Sequence, residues 1–170
     1  LIRYIISLLI FSILTIVKGV SCMSLSYHYM LMANHVILQK KLFLSLKDTG
    51  LTLGQPKVLD FLREKDGAAQ KEIAAACHIE PASLTTILNG MEEKGLIQRK
   101  SLNGNRRSWH IFLTDRGKEM VEAVDKGFEE LEDQAFSGIS VEEQESFLKT
   151  FEKIYHNMKT LEEKKHDRKN

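Results

Sequence analysis

The feature that most constrains this chain is a single dipeptide and what precedes it. Asn103-Gly104 lies between two short segments of strand character, 96–102 and 108–113. Asn-Gly is a strong hairpin signal, because both residues tolerate positive φ. Two short helices are expected just before it. Residues 70–77 offer Ile73, Ala74 and Ala76 for packing. His78-Ile79-Glu80-Pro81 reads as a turn, and Pro81 suits a first helical position, where its missing N–H costs nothing. Residues 82–94 form the second helix, with Leu84, Ile87, Leu88 and Met91 on its buried side and Gly95 as its stop.

A short helix, a turn, a second helix and a hairpin, in that order, make a winged helix-turn-helix. In that arrangement the second helix enters the major groove of DNA. The net charge of +1 argues for no polyanion partner in bulk, but its distribution does. Residues 94–107 hold Lys94, Arg99, Lys100, Arg106 and Arg107 and no acid, a local patch able to dock phosphate. Arg106 and Arg107 at the hairpin tip form a basic finger suited to a minor groove, whose negative potential attracts arginine. The alternative for such a pair is a solvated loop. Ser83, Thr85, Thr86 and Asn89 fall outside the buried side of the second helix. Two readings stand for them: short polar groups that approach phosphates and base edges, or residues that simply suit early helical turns. Glu80 is a poor N-cap for this helix beside Ser, Thr, Asp or Asn.

The flanks are helical. Leu31, Leu38, Leu42 and Leu46 lie near one face of a first helix that Gly50 ends. Thr52-Leu53-Gly54-Gln55 has the pattern of a capping box, followed by Val58, Leu59, Phe61 and Leu62 as an apolar face. Beyond the hairpin, Val121, Val124, Phe128, Leu131 and Ala135 repeat at alternating three- and four-residue spacing. So do Phe147, Phe151, Ile154, Met158 and Leu161, after a second capping box at Ser140-Val141-Glu142-Glu143. Such seams need partner helices. Packing within one chain is one solution, and packing between two copies, with the first helix, is the expected one. Residues 4–17 are apolar, bracketed by Arg3 and Lys18, and short of the roughly 20 residues a bilayer needs. They read as translated upstream sequence or a misplaced start, with Met23-Ser24 as a natural beginning; a membrane anchor is the alternative.

Several pieces together resemble the MarR family of bacterial transcriptional regulators. They are Lys71-Glu72-Ile73-Ala74, Leu84-Thr85-Thr86-Ile87-Leu88, the run Met91-Glu92-Glu93-Lys94-Gly95-Leu96-Ile97-Gln98-Arg99, Asn105-Arg106-Arg107, and Leu113-Thr114-Asp115-Arg116-Gly117. The resemblance covers residues 23–164. It implies a mainly α fold with a small β-hairpin wing, a winged helix-turn-helix joined to a helical dimerisation region. The chain then divides into an apolar leader (1–22), a dimerisation region (23–50 and 118–164), a DNA-binding domain (51–117) and a polar tail (165–170). Double-stranded DNA is the implied partner, with Lys71, Ser83, Thr85, Thr86, Asn89, Arg99, Arg106 and Arg107 as contacting residues. Asn105 stands where the family's wing carries Asp, which removes a carboxylate that would orient Arg107. A homodimer is implied too, with Leu31, Leu38, Phe147, Phe151, Ile154, Met158 and Leu161 at its interface, selecting a pseudo-palindrome.

Family members often answer to small molecules, so an inducer is an implied partner. Tyr27, Tyr29, Met30 and His35 are candidate pocket residues, together with His28; the alternative is a helix start that only packs. No cofactor or metal is expected, since Cys22 and Cys77 make no disulfide framework and the histidines are scattered. Cys77, at a helix C-terminus, is poorly placed to be a thiolate. The chain has no nucleophile elbow, P-loop or Gly-rich dinucleotide turn, so catalysis is not expected. The expected protein is a cytoplasmic, ligand-responsive repressor, membrane-associated only if the leader is genuine. A protein-interaction adaptor without sequence-specific DNA binding is the competing class.

Overall fold

A computed structural model describes residues 26–101 and 109–167, with side chains to residue 161. The chain divides into two compact units, Leu1–Thr52 and Leu53–Asn170. In the first unit, helix α1 spans Tyr27–Ser45 and a 3₁₀ turn spans Lys47–Thr49. The helix therefore stops before Gly50, the expected end. The Ser45 hydroxyl donates to the Leu42 carbonyl at 2.8 Å, and the Thr49 hydroxyl donates to Leu46 while accepting from the Leu51 N–H. These short side chains compete for backbone groups and tighten the last turn. Gly50 then reverses the chain at φ 69°. Leu42 and Leu46 are buried, whereas Leu31 and Leu38 are exposed, as are Met32, Val36, Ile37, Phe43 and Leu44. Helix α1 is thus apolar on nearly every side and largely uncovered.

The second unit begins with α2, Gln55–Glu64. The expected capping residue, Thr52, lies two residues before the N-cap position. Gly54, left-handed at φ 86°, is the N-cap, and no side chain caps the helix. Gln55 is instead buried, with its Oε1 accepting from Lys94 Nζ at 2.9 Å. Glycine suits position 54 because φ 86° strains any L side chain, and a Cβ there would also force Ile87 Cδ1, 2.6 Å away, to move. Val58, Leu59 and Leu62 are fully buried.

Strand β1 (Ala68–Ala69) leads directly into α3 (Gln70–Ala76), and α4 covers Pro81–Glu93. Strands β2 (Ile97–Ser101) and β3 (Trp109–Leu113) pair antiparallel, with Ile97 opposite Leu113 and Ser101 opposite Trp109. The sheet order is β1-β3-β2, so the expected two-stranded hairpin has a third strand. Asp66 fastens that edge: its Oδ1 accepts from the Leu113 and Gly67 N–H groups. Helix α3 is too short to hold by itself. Glu72 reaches back to the Ala69 N–H at 2.8 Å, half of a capping box, and also binds Lys65 at 2.6 Å. Those two bonds hold the Glu72 carboxyl below its ordinary value, the Lys65 hydrogen bond most.

Helix α5 (Asp115–Ala135) follows β3 through a compact joint. The Thr114 hydroxyl accepts from the Gly117 N–H and donates to the Gly95 carbonyl at 2.6 Å, while the Thr114 N–H donates to Leu96. Gly117 is buried with no room for a Cβ, which would run into the Leu96 carbonyl. The Thr-Asp-Arg-Gly run thus docks the helix start onto the turn that opens the wing. Arg63 of α2 is ion-paired with Asp125 of α5. Helix α6 spans Val141–Asp167. Ser140 and Glu143 form the expected reciprocal capping box, at 3.0 and 3.3 Å. Along α6, Phe147, Phe151, Met158 and Leu161 are exposed and Ile154 is half-buried. No helix among the described residues is long and apolar enough to cross a membrane.

Candidate nucleic-acid interface

The helix-turn-helix is held by a tight reversal. His78 adopts φ 49°, the one non-glycine residue with positive φ among those described. The Ile79 N–H reaches the Ala74 carbonyl at 2.9 Å, and the His78 N–H reaches Ala75 at 3.3 Å. This pair of bonds satisfies the last carbonyls of α3 with His where glycine is usual. His78 also meets Tyr155 of α6, Nε2 to hydroxyl at 3.1 Å with the rings edge-on. Glu80 is the N-cap of α4 and makes no side-chain cap, as its chemistry implies.

Leu84, Leu88 and Met91 of α4 are fully buried, so the helix is fixed in rotation by its apolar side. That leaves Ser83, Thr85, Thr86 and Asn89 exposed. They do not form one uniform surface. Helical rotation sets Thr85, Asn89 and Glu92 on the flank toward Arg99, and Ser83 on the other. The Thr85 hydroxyl donates to the Pro81 carbonyl and accepts from Gln70 Nε2, both at 2.9 Å. Thr86 bonds weakly back to Ala82 at 3.5 Å. Lys71, on α3, is exposed.

Arg99 lies on β2, with its side chain 17% exposed. Its Nη1 donates to Glu92 Oε2 at 2.6 Å and its Nη2 to Asn89 Oδ1 at 2.7 Å. The arginine expected to meet DNA is therefore occupied by two side chains of α4. Gln70, Thr85, Asn89, Glu92, Arg99 and Trp109 together line an open groove between α4 and the wing strands. The sequence reading missed Gln70, Glu92 and Trp109. The signal for Glu92 was available, since it follows Asn89 by one helical turn; Trp109 depends on the hairpin register and Gln70 on how α3 packs beside α4. Arg106 and Arg107 lie outside the described residues.

Of the residues expected to line a ligand pocket, Tyr27, Tyr29, Met30 and His35 are all exposed on α1. Burial pushes the Cys77 thiol up, and its Sγ faces the Lys57 carbonyl at 3.7 Å. It stays a thiol at neutral pH, in keeping with its place at a helix end.

Residues 51–109 match the model of the MarR family. The S. aureus MepR–DNA complex is similar at 29% identity, with 79% of this chain and 99% of that chain covered and a TM-score of 0.70. A MarR family transcriptional regulator from Silicibacter pomeroyi is 25% identical over 77% of this chain and 89% of that one, with a TM-score of 0.68. A MarR family regulator from Listeria monocytogenes complexed with 26mer DNA has a TM-score of 0.75 at 19% identity, covering 78% and 89%. The matched span, residues 51–109, takes in the helix-turn-helix and the start of the wing, and over it the chain is similar to the MarR family.

Proposed function

We propose that the chain is a dimeric transcriptional regulator that binds a pseudo-palindromic DNA site, with α4 in the major groove and the wing beside it. One observation carries this. Helix α4 is locked by a fully buried apolar side while its outer side offers short hydroxyls, an amide and an open groove toward a basic wing. A reading helix needs that combination of a fixed rotation and short polar groups. The DNA complexes of MepR and of the Listeria regulator support it by fold. The proposed protein is a bacterial, cytoplasmic repressor released by a small molecule, and it carries out no catalysis.

Dimerisation rests on what one chain leaves uncovered. Leu31 and Leu38 on α1, and Phe147, Phe151, Met158 and Leu161 on α6, are large apolar side chains open to solvent. Such surface is costly in a monomer and usual at an interface. A second copy related by a two-fold axis covers it and sets two α4 helices about one DNA turn, ~34 Å, apart. An inducer held near Tyr27, Tyr29, Met30 and His35 would act by shifting that spacing.

The test is selection from a random duplex pool at physiological salt, using the full chain beside an Arg106→Ala/Arg107→Ala variant. Enrichment of a pseudo-palindrome by the parent, weakened in the variant, is the expected result. A folded dimer that enriches nothing would overturn the reading in favour of a protein-interaction adaptor.

A further inference from the structure

We propose that Asn89 is a specificity-determining residue that offers a base edge only hydrogen-bond donors, and that Arg99 and Glu92 position it for this. The inference rests on the DNA-reading function proposed above and deepens it. A guanidinium has five N–H donors and no acceptor. The Asn89 atom 2.7 Å from Arg99 Nη2 is therefore the carbonyl oxygen, by chemistry rather than by choice of amide orientation. Glu92, one helical turn on, grips the same guanidinium at 2.6 Å and holds it against the amide. The Arg99 side chain is largely shielded, which strengthens both charge-assisted bonds.

The consequence falls on the other end of the amide. Asn89 Nδ2 has no protein partner among the described residues. Asn89 borders the open groove beside α4, and the cation on its carbonyl makes the amide N–H a better donor. Asparagine reads adenine by accepting from N6 while donating to N7. Here the accepting atom already serves a full cation, so an adenine amine would share a depleted oxygen. Guanine, with acceptors at O6 and N7, and thymine, with an acceptor at O4, need donors alone. Thr85, one turn earlier on the same flank, already spends its proton on Pro81 and accepts from Gln70. Of the α4 side chains that line this groove, Asn89 is the one with donors to give. Arg99 and Glu92 are positioning residues and touch no base themselves.

The experiment compares full-length parent with Asn89→Ala, Asn89→Asp and Arg99→Ala in the random-duplex selection, each checked for helicity and dimer mass. The parent motif should hold, in each half-site, one position of guanine or thymine that Asn89→Ala flattens alone, with a ~10-fold loss of discrimination there. Asn89→Asp keeps a partner for Arg99 but offers acceptors only, so the same position should turn to cytosine or adenine, whose edges donate. Arg99→Ala frees the amide to rotate, and adenine should become acceptable at that position. If Arg99 only braced the fold, its loss would weaken all sequences alike and leave the motif unchanged, overturning the assignment. So would an adenine at the Asn89-dependent position of the parent, or a motif indifferent to Asn89→Ala. A folded parent that enriches no motif overturns the proposed function itself and this assignment with it, a failure distinct from a clear motif that ignores Asn89.

Discussion

Helices α3 and α4 and helices α1 and α6 solve opposite problems. Helix α3 is short, starts on half a capping box and ends on a strained histidine, yet it is held because Ile73 is fully buried. Helix α4 begins without a side-chain cap and is likewise fixed by Leu84, Leu88 and Met91. Helix α6 is long and well capped, but its apolar seam is open to solvent, and α1 is apolar on almost all sides. Packing stabilises a helix more than propensity does. The winged domain is thus finished within one chain, while α1 and α6 leave apolar side chains open that the proposed second copy would cover.

The sharpest way to break that contrast is Leu88→Ala. The residue is fully buried in the winged domain, so the cavity should cost about 2–5 kcal/mol. Urea unfolding should show it at every protein concentration. A loss that vanishes at high concentration would mean that the winged domain also depends on the partner.

Phe147→Ala tests the other side. Phe147 is 51% exposed in one chain and stacks on Phe151 with ring centroids 5.5 Å apart. It should raise the dimer dissociation constant by the equivalent of about 2 kcal/mol. Sedimentation would read this, with the winged domain's own melting unchanged. No change in association would place the interface elsewhere.

A smaller effect is expected at Thr114→Ala, where the cap of α5 and the link to Gly95 are lost together. About 1 kcal/mol should follow, read as a lower melting temperature. Hydrogen exchange should rise at Gly117 first, and equal protection there would deny the cap its role.

The gentlest test is acid. Glu143, like Glu72, sits below the ordinary glutamate value, through bonds to the Ser140 backbone first and its hydroxyl second. A carboxyl lowered by folding contributes its stability above the unfolded value, and that contribution is lost as pH falls through the folded one. The starts of α3 and α6 should therefore loosen together below about pH 4.5, the ordinary value, as exchange at the Ala69 and Ser140 amides. Glu72→Gln should remove the pH dependence at Ala69 alone. If Ala69 still responds to pH in that variant, another group controls the start of α3.

Much of this was legible in one dimension. The order of elements, the Ser140–Glu143 box, the weak Glu80 cap and the buried trio of α4 rest on neighbours three or four residues apart, and local chemistry writes those into the chain. Strand β1 was not legible, because two alanines carry no periodicity; their strand state comes from Ile111 and His110 across the sheet. Gln55 read as a capping residue because the pattern fits one; its burial depends on Lys94, far along the chain. The difference is sharpest at Arg99. Its type and place beside a basic wing are sequence, and they suggest a residue free for DNA. That its guanidinium is committed to Asn89 and Glu92 was decided only when β2 folded back against α4. Periodicity, caps and turns act over a few residues and so are written locally. Which side chains share a hydrogen bond across a strand and a helix depends on packing, which sets distance to a fraction of an ångström and has no local signature.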